Sequence, residues 1–62
     1  MKIIQLKEKI FSTSFRMSLC KIESKTNRIY KVFYHGYFIN SILFESESLE
    51  EAEEYFKENM KD

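Results

Sequence analysis

Only one of the 62 residues is glycine, none is proline, none is tryptophan and a single one is cysteine. One glycine leaves no Gly-rich loop with which to cradle a phosphate. Without proline, and without any Gly/Ser-rich stretch, nothing marks a linker, so residues 1–62 are expected to form one small α+β domain. A lone Cys20 cannot build an intramolecular disulfide framework. No apolar run approaches the ~20 residues that span a bilayer. Met1–Phe11 interleaves Lys and Glu with Ile and Leu, without the apolar core of about 7 residues of a signal peptide. The expectation is a cytoplasmic protein with no membrane partner. His35 is the only histidine, with no Cys or paired acid near it in sequence. That pattern makes neither a metal site nor a nucleophile–base pair. The chain therefore reads as a non-enzyme, with no catalytic residues, no metal and no cofactor.

The charge is unevenly placed. From Met1 to Lys31, eight Lys/Arg stand against Glu8 and Glu23, a net of +6, whereas from Val32 to Asp62 two Lys stand against seven Glu and Asp62, a net of −6. A formal total of zero hides this asymmetry, which bears on which partners each half attracts. Large apolar groups are plentiful: six Phe, four Tyr and seven Ile. A chain this short buries only ~60% of its unfolded surface. Each buried Phe or Ile contributes about 1.5–3 kcal/mol, against ~1–2 kcal/mol of backbone entropy per ordered residue. A homodimer that buries more apolar surface is therefore a candidate assembly. Lys, Ile, Asn, Phe and Tyr supply 28 residues while Gly, Ala, Arg and Pro supply four. That AT-rich codon usage points to a low-GC bacterium, its phage or a plasmid.

Three runs dense in aromatic and β-branched residues, Phe15–Glu23, Arg28–His35 and Tyr37–Glu45, read as strands. Ser24–Asn27 and the pair His35-Gly36 punctuate them, the second as a two-residue hairpin turn. Lys2–Lys9 fits either periodicity, with a strand favoured. Ser48 and Glu51 form a capping-box pattern, after which Leu49, Ala52, Phe56 and Met60 recur at helical spacing. The expected architecture is an antiparallel sheet of three or four strands with one C-terminal helix on one face, β-β-β-α with an optional N-terminal strand. A two-residue turn at His35-Gly36 and a three-residue loop at Lys25–Asn27 sort the side chains. One face then holds Phe15, Met17, Leu19, Ile29, Phe33, Phe38, Ile42 and Phe44 and is expected to seat the helix. The other holds Arg16, Ser18, Cys20, Ile22, Tyr30, Val32, Tyr34, Tyr37, Ile39 and Leu43.

Tyrosine suits surfaces that are apolar in body and polar at the tip. Arg16, Arg28, Tyr30, Tyr34, Tyr37 and Ile39 are thus the candidate partner-binding residues of the sheet. The alternatives for that face are cover by Ile4, Leu6 and Ile10 of the N-terminal segment, or a second copy. Glu50, Glu53, Glu54 and Glu58 form a second candidate surface, suited to a basic groove on another protein. Cys20 reads as a small apolar filler.

The hairpin Tyr30–Phe38 and the segment Phe44-Glu-Ser-Glu-Ser-Leu-Glu-Glu-Ala-Glu-Glu-Tyr55 make the final 35 residues similar to one known group. These are the three-stranded-sheet-plus-helix modules at the N-terminus of phage and transposon integrases, which bind arm-type DNA sites. The resemblance implies a β-β-β-α fold and contact with DNA. Those modules are strongly basic, whereas this half carries only Arg28, Lys31, Lys57 and Lys61, so membership is not claimed.

The function expected first is a small non-enzymatic binding protein, encoded by a phage or other mobile element, that docks on a host or defence protein and blocks it. The alternative is a nucleic-acid-binding module using the basic strands and the Tyr-rich face. A third is an oligomer in which the basic half of one copy meets the acidic half of the next.

Overall fold

The structure, a computed structural model, describes residues 1–59. Met60 and Lys61, expected near the end of the helix, lie outside them. Four strands, β1 (Lys2–Ile10), β2 (Arg16–Glu23), β3 (Arg28–His35) and β4 (Asn40–Ser46), precede the helix α1 (Leu49–Asn59). They form one antiparallel sheet in the order β1-β2-β3-β4. The architecture is thus α+β, as the sequence predicts, with the favoured N-terminal strand present as an edge of the sheet. β1 extends the sheet beside β2 and does not cover its face.

The helix starts where the capping pattern places it. The Glu51 amide donates to Ser48 Oγ at 3.4 Å and the Ala52 amide to the Ser48 carbonyl at 3.2 Å. Only half of the capping box forms, because the Ser48 amide donates to Ser46 Oγ at 3.0 Å. Ala52 and Phe56, one turn apart, point into the sheet and are almost fully buried. They meet Met17 and Leu19 of β2 and Tyr30 and Val32 of β3, and this cluster is the core. Phe44 of β4 closes one side, its ring stacked on Tyr55 at 4.6 Å and 9°.

The seat of the helix differs from the sequence expectation, and the loops explain why. Glu23 pairs with Arg28, so the β2–β3 loop is the four residues Ser24–Asn27 rather than three. A one-residue change in a loop flips every side chain of the following strand to the other face. Tyr30 and Val32 therefore join Met17 and Leu19 beneath the helix, while Phe33 faces the opposite side. At the next hairpin His35 pairs with Asn40, leaving the four-residue loop Gly36–Ile39 in place of a two-residue turn. Two-residue hairpin turns require positive φ, and no described residue has it, Gly36 and Asn27 included. Gly36 is needed for room: a Cβ there would stand 3.0 Å from the Ile39 carbonyl oxygen and 3.0 Å from the Tyr34 ring. Leu6 and Leu43 are left unpaired as bulges in the two outer strands. The separation into a Phe face and a Tyr face is not realised.

Core and open face are separable by mutation. Phe56→Ala is expected to cost about 3–5 kcal/mol, comparable to the whole stability of so small a domain, and to abolish the cooperative urea transition. Ile42→Ala, on the face away from the helix and 51% exposed, is expected to cost about 1 kcal/mol or less.

Candidate functional site

The residues proposed from sequence for the sheet do not share one surface. Tyr30 is buried in the core, and Tyr34 is half-buried on the helix side, where Phe15 stacks on it at 6.2 Å. Arg28 opens β3, paired with Glu23. A hydrogen bond with the Tyr30 side chain, reinforced by the nearby Tyr30 and Glu23 oxygens, raises the Arg28 guanidinium above its ordinary value. Arg16 lies on the open face, its Nε 3.7 Å from Glu8. Tyr37 and Ile39 sit in the exposed β3–β4 loop. Of the acidic set, Glu50, Glu54 and Glu58 are exposed, while Glu53 is held by Lys7 at 3.1 Å. Open face and acidic helix lie on opposite sides of the sheet.

Strand alternation and the observed register define the open face row by row. Ile3, Ile22 and Ile29 lie side by side at one end. Gln5, Cys20, Lys31 and Glu45 follow, with Lys31 Nζ 3.5 Å from Glu45, so Lys31 is neutralised in place rather than reaching an edge. Next come Glu8, Ser18, Phe33 and Ile42, and last Ile10, Arg16, His35 and Asn40. Phe33 stacks on His35 at 6.2 Å.

A polar chain that no local sequence pattern signals crosses this face. Ser18 Oγ is 3.1 Å from His35 Nε2, and His35 Nδ1 is 3.3 Å from Asn40 Oδ1. The Asn40 oxygen can only accept, so in the neutral ring Nδ1 carries the proton and Nε2 accepts from the Ser18 hydroxyl. Cys20 Sγ approaches Ser18 Oγ at 4.0 Å. The polarity is that of a nucleophile, base and orienting group. The placement is not: Ser18 is 2% exposed and Cys20 7%, so no substrate reaches either atom. The chain satisfies polar groups on the central strands, and no buried side-chain nitrogen or oxygen is left unpartnered among the described residues. Only the register brings Ser18 to His35, and no local motif signals it.

Beside His35 the β1–β2 and β3–β4 loops enclose an open cleft of about 580 Å³, lined in part by Ser12, Phe15, Arg16, His35, Tyr37 and Asn40. Its polar groups are largely engaged already: Arg16 with Glu8, His35 with Ser18 and Asn40, and Ser12 Oγ with the Ser14 amide at 3.2 Å. No cluster of three or more metal-ligating side chains occurs among the described residues. No helix among them is long and apolar enough to cross a membrane.

Tyr37, one of the residues lining the cleft, opens an apolar run. Tyr37, Phe38 and Ile39 are consecutive and 69%, 90% and 67% exposed. Tyr37 and Phe38 meet edge to face at 4.5 Å and 82°, an arrangement aromatic pairs favour. The Gly36 amide donates to the Ile39 carbonyl at 2.7 Å and closes the loop beneath them. Three large apolar side chains thus stand at a loop tip, two of them packed on each other.

The tautomer of His35 is directly checkable. A long-range proton–nitrogen correlation spectrum, recorded where the ring is neutral, is expected to show Nδ1 protonated and Nε2 unprotonated. Ser18→Ala is expected to lower the stability read by urea unfolding by about 1 kcal/mol. Among known proteins, no family model, no curated protein and no solved structure matches this chain.

Proposed function

We propose that the protein is a non-enzymatic binding protein whose Tyr37-Phe38-Ile39 loop inserts into an apolar pocket of a protein partner and blocks the surface it occupies. The exposure of these three consecutive side chains, up to 90% at Phe38, carries the reading. Three adjacent apolar groups at a loop tip gain nothing from exposure and are unusual unless they serve contact. Tyrosine flanked by apolar neighbours is also the composition of interface anchors. Gly36 and the edge-to-face ring pair pre-organise the tip, which lowers the ordering cost on binding. The half-exposed Ile10 and Ile42 near the loop extend the apolar area, with Arg16 as a polar rim. The AT-rich codon usage is compatible with a phage or mobile-element source, for which a host or defence protein is the proposed partner.

The experiment compares the wild-type protein with Phe38→Ser and Tyr37→Ser variants whose thermal unfolding is unchanged. A partner captured by the wild type and reconstituted from purified components is expected to bind at least tenfold more weakly to Phe38→Ser, about 1.4 kcal/mol or more. Equal binding by the variants would contradict the reading. So would an affinity for single-stranded DNA that falls steeply with salt and survives both substitutions, which would support the nucleic-acid alternative.

A further inference from the structure

The two outer edges of the sheet carry opposite charge. β1 presents Lys2, Lys7 and Lys9 against Glu8, whereas β4 has Glu45 as its only ionisable residue and is followed by Glu47. The helix packs over β4, β3 and β2, and its backbone makes no close approach to β1. Tyr55 stacks on Phe44 of β4, whereas Glu53 and Glu54 lie beside Lys7 and Glu8 of β1. With Lys7 held by Glu53, Glu8 by Arg16 and Glu45 by Lys31, the charges left at the edges are Lys2 and Lys9 on β1 and Glu47 after β4. Each edge also has an outward row of backbone groups with no neighbouring strand in the monomer. Exposed apolar side chains accompany both: Ile3 (64%) and Leu6 (41%) on β1, Ile42 (51%) and Leu43 (40%) on β4.

We infer that β4 of one copy adds to β1 of the next, extending the sheet head to tail. Charge selects among the three edge pairings open to two copies. Pairing β1 with β1 sets Lys2 and Lys9 against themselves, Lys7 being held by Glu53. Pairing β4 with β4 brings two Glu-rich helices together. Pairing β4 with β1 joins opposite signs and leaves the same two edges free at the ends. The lysines of β1 thus reject their own kind while admitting β4, a use of edge charge that discriminates between partners rather than forbidding pairing altogether. A contact between different patches cannot form a two-fold dimer, and unless the rotation from copy to copy closes a ring the product is an open row. The bulges at Leu6 and Leu43 interrupt both strands. The ladder between copies is therefore short, on the order of four to six hydrogen bonds, and the assembly is weak and reversible. It uses the sheet edges, not the Tyr37–Ile39 loop, and stands independently of the partner-binding reading.

The test is sedimentation velocity on the full chain at about 20 mM and about 500 mM salt, which bracket strong and weak screening. The wild type is expected to show a mass that rises with concentration without a plateau at low salt, and to return towards the monomer at high salt. Two double variants each disable one edge: Lys2→Glu with Lys9→Glu on β1, and Ser41→Lys with Leu43→Lys on β4. Each is expected to be monomeric alone, and an equal mixture to associate again at low salt, because opposite signs then meet both at the unaltered β4–β1 junction and at the exchanged one. If circular dichroism shows a double variant unfolded, Lys9→Glu or Ser41→Lys alone takes its place. The inference is overturned if the wild type stays monomeric at low salt, if its mass plateaus at a dimer, or if the mixed variants stay monomeric while the wild type associates.

Discussion

The rest of the structure depends on the register between β2 and β3, where Leu19 lies opposite Val32. Because the connecting loop has four residues, Met17, Leu19, Tyr30 and Val32 share one face, and Ala52 and Phe56 have an apolar surface to cover. The same register leaves Ser18, Cys20, Phe33 and His35 on the other face, which creates the Ser18–His35–Asn40 chain. With a core of only six side chains, the fold has little apolar burial to spare, so one shifted pair would cost a substantial part of its stability.

Elements whose signals are local were legible in the sequence. Aromatic and β-branched density located β2, β3 and most of β4, and alternation at Ile4 and Leu6 favoured β1. The Ser48 cap and the spacing of Ala52 and Phe56 placed α1. What was not legible depends on loop length. His35-Gly36 has the composition of a two-residue turn, and Asn27 that of a left-handed corner, but both loops take an extra residue or two and keep φ negative. Once parity is lost in the first loop, Tyr30 moves from a supposed contact face into the core. Of the candidate site, Arg16 and Tyr37 line the cleft and Ile39 is exposed in the adjoining loop, while the strand pattern of the sequence absorbs Phe38 and hides it. Its signal was present as three consecutive apolar residues after the glycine, a run that alternation cannot bury on one face.

The charge asymmetry has an internal role as well as an external one. Lys7–Glu53 and Lys31–Glu45 join the basic half to the acidic half, and Arg16–Glu8 and Lys21–Glu23 close pairs within the basic half. Each exposed pair contributes only about 0–1 kcal/mol, so these contacts trim the surface field more than they hold the fold. They also bear on nucleic-acid binding. Four of the eight basic residues of the first half face a carboxylate within 4 Å, and Tyr30 is unavailable for stacking. The loop tip, by contrast, leaves three consecutive large apolar side chains exposed.

The register itself is open to one direct measurement: nuclear Overhauser contacts from the Phe56 ring in the isotopically labelled protein. Contacts from that ring to the methyl groups of Leu19 and Val32, with none to Ile42 or the Phe33 ring, are the predicted result. Contacts to Phe33 and Ile42 instead would seat the helix on the opposite face and contradict both the core and the open surface described.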